Sequence, residues 1–320
     1  MTRPVTWQEN ARMSNPQSAI IPEPSDQAIF MTMRAGDRSQ SALREVARVL
    51  TQIPSIARSV ADQDRDAKLV SSIAIGSGLW DALSPAKRPA GLRPFKAISS
   101  ASGSAPSTGG DLLLHAVSKR RDLNFVLGMR LRRALAGLVE VADEVQGFRY
   151  LDGRDLTDFI DGTENPKGDD DRKEVALIGD EDADFAGGSY VFTQRYVHNL
   201  SNWNTIDTKD QERAIGRRKR DSEELSASER PPTAHIARVV MERDGQELEI
   251  VRHSFPYGTT SEHGLFFIAY CRTLDIPEAM LARMMGTAGD GLHDRLMDFV
   301  KAVTGANFFA PSLETLASLP

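Results

Sequence analysis

The densest run of residues able to do chemistry is Asp161-Gly162-Thr163-Glu164-Asn165-Pro166, preceded by Tyr150-Leu151-Asp152-Gly153-Arg154-Asp155-Leu156-Thr157. Asp-Gly and Asn-Pro are turn-forming pairs, so one reading is a surface loop between domains. Asp161, Thr163 and Asn165 also alternate as calcium ligands do. An EF-hand, however, needs glycine at its sixth place and a carboxylate at its twelfth, where this chain has Pro166 and Arg172, so the calcium reading fails.

Six histidines are present, at 115, 198, 235, 253, 263 and 293. His235 stands out by its setting, Thr233-Ala234-His235-Ile236-Ala237-Arg238-Val239-Val240, which reads as an apolar strand after Pro231-Pro232. A polar ring in such a run needs a partner or a metal. Further on, Arg252-His253-Ser254-Phe255-Pro256-Tyr257-Gly258 reads as a strand end that turns with a cation at its lip. The plain alternative there is a solvated arginine.

The elements that position these residues follow from periodicity and turn signals. Ala28 to Ala35 reads as a strand, a helix follows from Ser39 or Ser41 to Pro54, and Leu69 to Ile75 is a second strand. A Gly-, Pro- and Ser-rich loop runs to Gly110, with one helical turn near Trp80. Asp111 to Val117 is extended, Leu123 to Leu138 helical, and Leu138 to Tyr150 extended again. The order β-α-β-β-α-β is that of a ferredoxin-like unit. The second half offers strands at Ser189 to Val197, His235 to Met241, Leu248 to His253 and Leu265 to Cys271. Helices are expected at Lys209 to Gly216, Pro277 to Met285 and Leu292 to Val303. This reads as a second copy of the same plan. The expectation is an α+β protein of two ferredoxin-like domains with antiparallel sheets packed face to face, a dimeric α/β-barrel-like arrangement: a flexible leader over 1–14, then domains 15–150 and 151–320.

Composition narrows the function. The chain has 320 residues, 40% hydrophobic and 7% aromatic, and its 39 basic and 45 acidic residues leave a net charge of −6. That balance argues against general nucleic-acid binding. With one cysteine, Cys271, there is no disulfide framework and no CxxC redox or zinc site. Neither a secretory signal nor a run of roughly 18 apolar residues is found, so no membrane partner and a cytoplasmic location are expected.

These pieces together resemble one family, the dye-decolorizing peroxidases, most nearly the subgroup called type B. Gly147 to Pro166, GFRYLDGRDLTDFIDGTENP, is similar to the family's signature. Pro16-Gln17-Ser18, Pro22-Glu23-Pro24, Gly110-Asp111-Leu112-Leu113, Ala234-His235, Arg252 to Gly258, Ala302 to Gly305 and Phe308-Phe309 are similar to its other landmarks. The resemblance covers residues 15 to 318 in order.

The resemblance implies a haem b peroxidase that uses hydrogen peroxide to oxidise aromatic compounds and dyes in one-electron steps through a ferryl intermediate. His235 matches the family's proximal iron ligand. A carboxylate on its other ring nitrogen would give the imidazole anionic character; Asp298 is the candidate, with Asp294 as rival. Asp161 and Arg252 match the distal proton shuttle and fixed cation. Ser254 stands where some members carry asparagine, Leu265 and Phe267 are placed to line the haem pocket, and Arg217 matches a position near a haem propionate. Asp158 stands where the family usually has glycine, so a second carboxylate lies three residues from Asp161.

Two other classes stay open at this point: an enzyme that acts on the porphyrin itself, releasing iron from haem, and a non-enzymatic haem-binding protein or a ferredoxin-like module for another ligand. The expected partners are peroxide and aromatic reductants, in a homo-oligomer. The chain ends at Pro320 without the long tail by which some relatives enter protein nanocompartments, so no such partner is expected.

Overall fold

A computed structural model describes residues 14–23 and 25–320. The leader expected over 1–14, apart from Ser14, and Pro24 of the Pro22-Glu23-Pro24 landmark lie outside the described residues. The first half contains β1 (Gln27–Ala35), α1 (Gln40–Ala61), β2 (Val70–Gly76), β3 (Leu112–Ser118), α2 (Arg121–Ala134) and β4 (Val139–Phe148). These strands lie in the order β4-β1-β3-β2, every neighbour antiparallel.

The second half contributes β5 (Ser189–His198), β6 (Val251–Arg252), β7 (Phe255–Gly258), β8 (His263–Cys271), β9 (Val300–Ala302) and β10 (Ala306–Ala310). Here β5 lies between β10 and β8, and β8 pairs with both β6 and β7. Two seams join the halves: Phe308 and Phe309 of β10 pair with Gly76 and Ile75 of β2, and Tyr257 of β7 pairs with Gly147 of β4. The result is a mixed α/β fold whose sheet closes into a barrel-like ring. The two expected sheets are therefore joined edge to edge, and they face each other only across a shared interior. Closure removes the open edges that two separate sheets would leave.

Alternation along the strands sorts the core. Ile29, Met31 and Met33 of β1 pack with Val46, Leu50 and Ile53 of α1 outside the ring, whereas Ala28 and Phe30 pack with Phe255, Phe266 and Phe308 inside it. Within this apolar interior the Tyr270 hydroxyl lies 2.6 Å from Ser72 Oγ and 2.8 Å from His115 Nδ1, and the His253 ring lies 5.9 Å from that of His115.

Local signals misplace four elements. The Ser39 hydroxyl caps α1 as expected, accepting from the Ala42 amide, but the helix runs through Pro54 to Ala61, because burial of Ile53 and Val60 outweighs the hydrogen bond that proline removes. His235 to Met241 is not a strand: His235–Val239 forms α5, a short helix. Of Leu248 to His253 only Val251 and Arg252 pair as a strand. Leu292 to Val303 is not a helix but a 3₁₀ turn, Arg295–Asp298, followed by β9. Two helices agree with expectation, α4 (Thr208–Ile215) and α6 (Asp275–Met284), with α3 (Asp169–Ala176) between β4 and β5. No helix among the described residues is long and apolar enough to cross a membrane.

Candidate active site

On the outer side of β5 and β8 lies a cavity of about 1390 Å³, part of it open to solvent. Every second residue of β5 from Phe192 onward lines it, namely Phe192, Gln194, Tyr196 and His198, together with Leu265 and Phe267 of β8. The strand period thus brings both expected lining residues to the cavity. The wall is mostly apolar, and two clusters of polar residues at it are the candidates for chemistry.

The first cluster is His235 with Asp294. His235 Nδ1 lies 2.6 Å from Asp294 Oδ2, and Asp294 is 0% exposed. The carboxylate's other oxygen accepts the Leu296 amide at 2.9 Å, so it also caps the 3₁₀ turn. With Nδ1 donating to the carboxylate, the lone pair of the imidazole is left on Nε2, which has no hydrogen-bond partner among the described residues. The helix carrying His235 is braced. Arg283 of α6 donates to the carbonyls of Ala237 and Arg238, and the buried Arg238 guanidinium donates to the carbonyls of Arg283 and Leu292 and to Asp290.

The carboxylate expected at Asp298 is a correction. Asp298 binds His293 Nε2 at 3.0 Å and Arg295, and takes no part in the cavity. Asp294 precedes the 3₁₀ turn as its cap, so the two residues do not stack as successive turns of an α-helix would place them.

The second cluster is Asp161 with Arg252, both lining the cavity, with Arg252 Nη1 3.5 Å from Asp161 Oδ1. The Arg252 guanidinium makes no hydrogen bond among the described residues, leaving its donors available to a ligand. Asp161 is held by its own amide donating to the Gly153 carbonyl at 3.1 Å and by its Oδ1 accepting the Gly162 amide at 2.7 Å. Arg154 fastens the preceding turn through the carbonyls of Asp158 and Lys219, both at 2.7 Å. Asp158 adopts φ +66°, a left-handed conformation that glycine favours, and its carboxylate pairs with Lys219 at 3.2 Å.

Two expected residues depart from their roles. Ser254 does not line the cavity; its hydroxyl is buried without a hydrogen-bond partner among the described residues. Arg217 does line it, but its terminal nitrogens are taken by Glu164, Glu224 and the Ser222 carbonyl. The rim here is acidic: burial, and then the nearby charges of Glu164, Glu242 and Glu224, push the Glu247 carboxyl up.

Sequence reasoning missed Asn165 and the pair His198 and Asp155, which line the cavity 3.7 Å apart. The alternation of Phe192, Gln194, Tyr196 and His198 was a usable signal for His198. Among the described residues no group of three or more His, Cys, Asp or Glu is placed to hold a bare metal ion.

Comparison with known proteins bears on this geometry. Residues 17–149 match the model of the N-terminal part of Dyp-type peroxidases, and residues 152–315 that of the C-terminal part. A dye-decolorizing peroxidase of Mycolicibacterium paratuberculosis is 41% identical over 308 residues, 95% of this chain and 86% of that protein. Among solved structures, DyPB from Rhodococcus jostii RHA1 superposes with a TM-score of 0.92 at 42% identity, covering 95% of this chain and 98% of that one. A variant of that protein in complex with heme matches with the same TM-score and identity over 95% of this chain and 98% of its own.

Proposed function

The chain belongs to the family of Dyp-type peroxidases, and on that premise we propose how its own residues perform a haem-dependent peroxidase reaction. The enzyme is an oxidoreductase acting on hydrogen peroxide, and its cofactor is haem. One observation carries the assignment of residues: His235, backed by a fully buried carboxylate, shares a mostly apolar cavity with Asp161 and with Arg252, whose guanidinium makes no hydrogen bond among the described residues.

The residues fit the group. Because no group of three or more His, Cys, Asp or Glu among the described residues is placed to hold a bare ion, the single imidazole nitrogen of His235 suits an iron that brings its remaining ligands with it. When bound, the haem supplies an iron centre that takes two oxidising equivalents from peroxide and passes them singly to reducing substrates. His235 holds the iron through Nε2, and Asp294, accepting from Nδ1, increases the donor strength of the ring. Leu265 and Phe267 form part of the apolar wall. Arg217 lines the cavity as the cation expected for a propionate, but it could serve one only by giving up its bonds to Glu164, Glu224 or the Ser222 carbonyl.

Across the cavity's polar lip, Asp161 takes a proton from one peroxide oxygen and returns it to the other, which departs as water. The Arg252 guanidinium stabilises the negative charge that builds on the departing oxygen. A haem store has no use for this pairing of base and fixed cation, and the likeness to dye-decolorizing peroxidases favours peroxidase chemistry over the release of iron from haem. The wider reading keeps two ferredoxin-like units over 15–150 and 151–320, supported by the strand orders of the two halves. It also keeps aromatic compounds and dyes as reductants, a homo-oligomer and a cytoplasmic setting.

The experiment is spectroscopic and kinetic. Haem-loaded protein has a Soret band that His235→Ala abolishes, and Arg252→Leu or Asp161→Ala slows the reaction with peroxide by about 10²–10³-fold. Dye oxidation at the wild-type rate in both distal variants would overturn the assignment.

A further inference from the structure

Arg252 is needed in one place, yet its side chain is not what holds it there. Its guanidinium has a single ion pair, to Asp161 at 3.5 Å, and no hydrogen bond among the described residues. The strand that carries it, β6, is two residues long and pairs on one side only, with Arg252 opposite Ala269 of β8. Antiparallel neighbours alternate between bonded and non-bonded positions. The inward bond of this segment is made by the next residue, the His253 amide donating to the Ile268 carbonyl at 3.1 Å. The amide and carbonyl of Arg252 therefore face away from β8, where no further strand among the described residues pairs with β6.

Asn165 takes the place of that strand. Its Oδ1 accepts the Arg252 amide at 2.9 Å, and its Nδ2 donates to the Arg252 carbonyl at 2.8 Å. One side-chain amide thus satisfies both backbone groups of a single residue, as a neighbouring strand would. Asn165 belongs to the same turn as Asp161: its amide donates to the Gly162 carbonyl at 3.1 Å, and the Gly162 amide donates back to Asp161 Oδ1 at 2.7 Å. Pro166 follows and restricts the backbone of Asn165 to the extended region. From Asp161 through Gly162 and Asn165 to the backbone of Arg252 there is a short continuous path of hydrogen bonds.

We propose that Asn165 is a positioning residue for peroxide activation, a clamp that fixes the Arg252 backbone relative to Asp161 so that the unbound guanidinium is presented to the peroxide. This rests on the reading above in which Arg252 stabilises the departing oxygen. The amide is suited to the task because it both donates and accepts; aspartate can only accept, and alanine does neither. Displacements near 1 Å at a reacting centre cost up to about 10²-fold in rate.

The test uses haem-loaded protein and two readouts: the rate of its spectral change with peroxide, and the affinity of the ferric haem for fluoride, an anion that needs a distal donor but no turnover. Asn165→Ala should slow the peroxide reaction about 10- to 100-fold and weaken fluoride binding in parallel, with the Soret band intact. Asn165→Asp, which keeps the acceptor for the Arg252 amide, should fall between alanine and wild type, and it serves if the alanine variant does not fold. In an Arg252→Leu background, Asn165→Ala should add less than about twofold, since a clamp has nothing left to present. An undiminished loss in that background, or wild-type fluoride affinity in both Asn165 variants, would overturn the clamp. A wild-type peroxide rate in Arg252→Leu alone would instead overturn the role of Arg252 on which the clamp depends.

Discussion

Asp294, wholly buried, accepts a hydrogen bond from His235 Nδ1 at 2.6 Å, whereas Asp298, four residues on, is engaged by His293 and Arg295. The two carboxylates are equivalent in sequence terms and opposite in consequence. Asp294→Asn keeps the shape but removes the anion behind the imidazole, and partners of this kind change metal affinity or activity by about 10–100-fold. The expected outcome is a fall of that size in haem affinity or peroxide rate for Asp294→Asn and wild-type behaviour for Asp298→Asn. Haem titration and stopped-flow spectra of the two variants decide it.

How far the sequence could be read depends on the kind of signal each element left. In the first half, strands and helices carry clean periodicity and glycine punctuation, and β1 to β4 fall within two residues of expectation at most ends. His235 to Val239 is too short for its β-branched residues to distinguish strand from helix, and what makes it a helix is distant: the guanidinium of Arg283 closing its last carbonyls. The exchange of Asp298 for Asp294 has a similar origin. Spacing by α-helical turns has no force in a 3₁₀ turn, where the residue before the first turn serves as cap. Asp161, Arg252 and His235 were legible as candidates through the resemblance of their motifs to the family's, and all three line the cavity. Asn165 was not, because its partners are the backbone atoms of Arg252, 87 residues away.

Acid should weaken the fold through the ring interior. Burial pushes the His253 imidazole down to about 4, against a weaker opposing effect from its bond to the Ile20 carbonyl, and His115 is pushed well below its ordinary value by burial and by His253. Above pH 6.5 both rings are neutral in folded and unfolded chains and contribute nothing. Below it the unfolded chain takes up protons that the folded chain refuses, so stability falls as pH drops from 6.5 to about 4. For His253 the loss approaches about 3 kcal/mol. Urea unfolding at pH 7 and pH 4.5 measures it. His253→Gln, whose amide can still donate to Ile20, should show a smaller drop between the two, and an equal drop would mean that other groups carry the effect.

Gly264 marks the tightest point of the seam between β8 and β5. A Cβ built there would stand 1.9 Å from the carbonyl oxygen of Tyr196 and 3.0 Å from Cα of Val197, its register partner. Both neighbours are backbone, so neither can swing aside. Gly264→Ala should therefore cost more than the roughly 1–3 kcal/mol typical of overpacking. The strands it would part carry Tyr196 and Leu265, so haem uptake should fall along with the melting temperature. A variant as stable as wild type would show that the seam can open without loss.

The brace behind His235 separates holding the haem from using it. Arg238 is almost wholly buried and donates to Asp290 at 2.7 Å and to the carbonyls of Arg283 and Leu292. Arg238→Met fills similar volume but leaves the Leu292 carbonyl without a donor and that of Arg283 with only the Gly286 amide, and a buried unsatisfied group costs about 1–3 kcal/mol. Because the arginine belongs to the helix that starts at His235, and Leu292 lies two residues before Asp294, the loosened brace acts on both members of the proximal pair. Arg252 and Asp161 are untouched by it. The expected result is a lower melting temperature and faster haem loss to a scavenger, with the peroxide rate per bound haem within about threefold of wild type, a spread of under 1 kcal/mol. A large drop in that per-haem rate would mean instead that the brace sets the donor strength of His235 as well as its position.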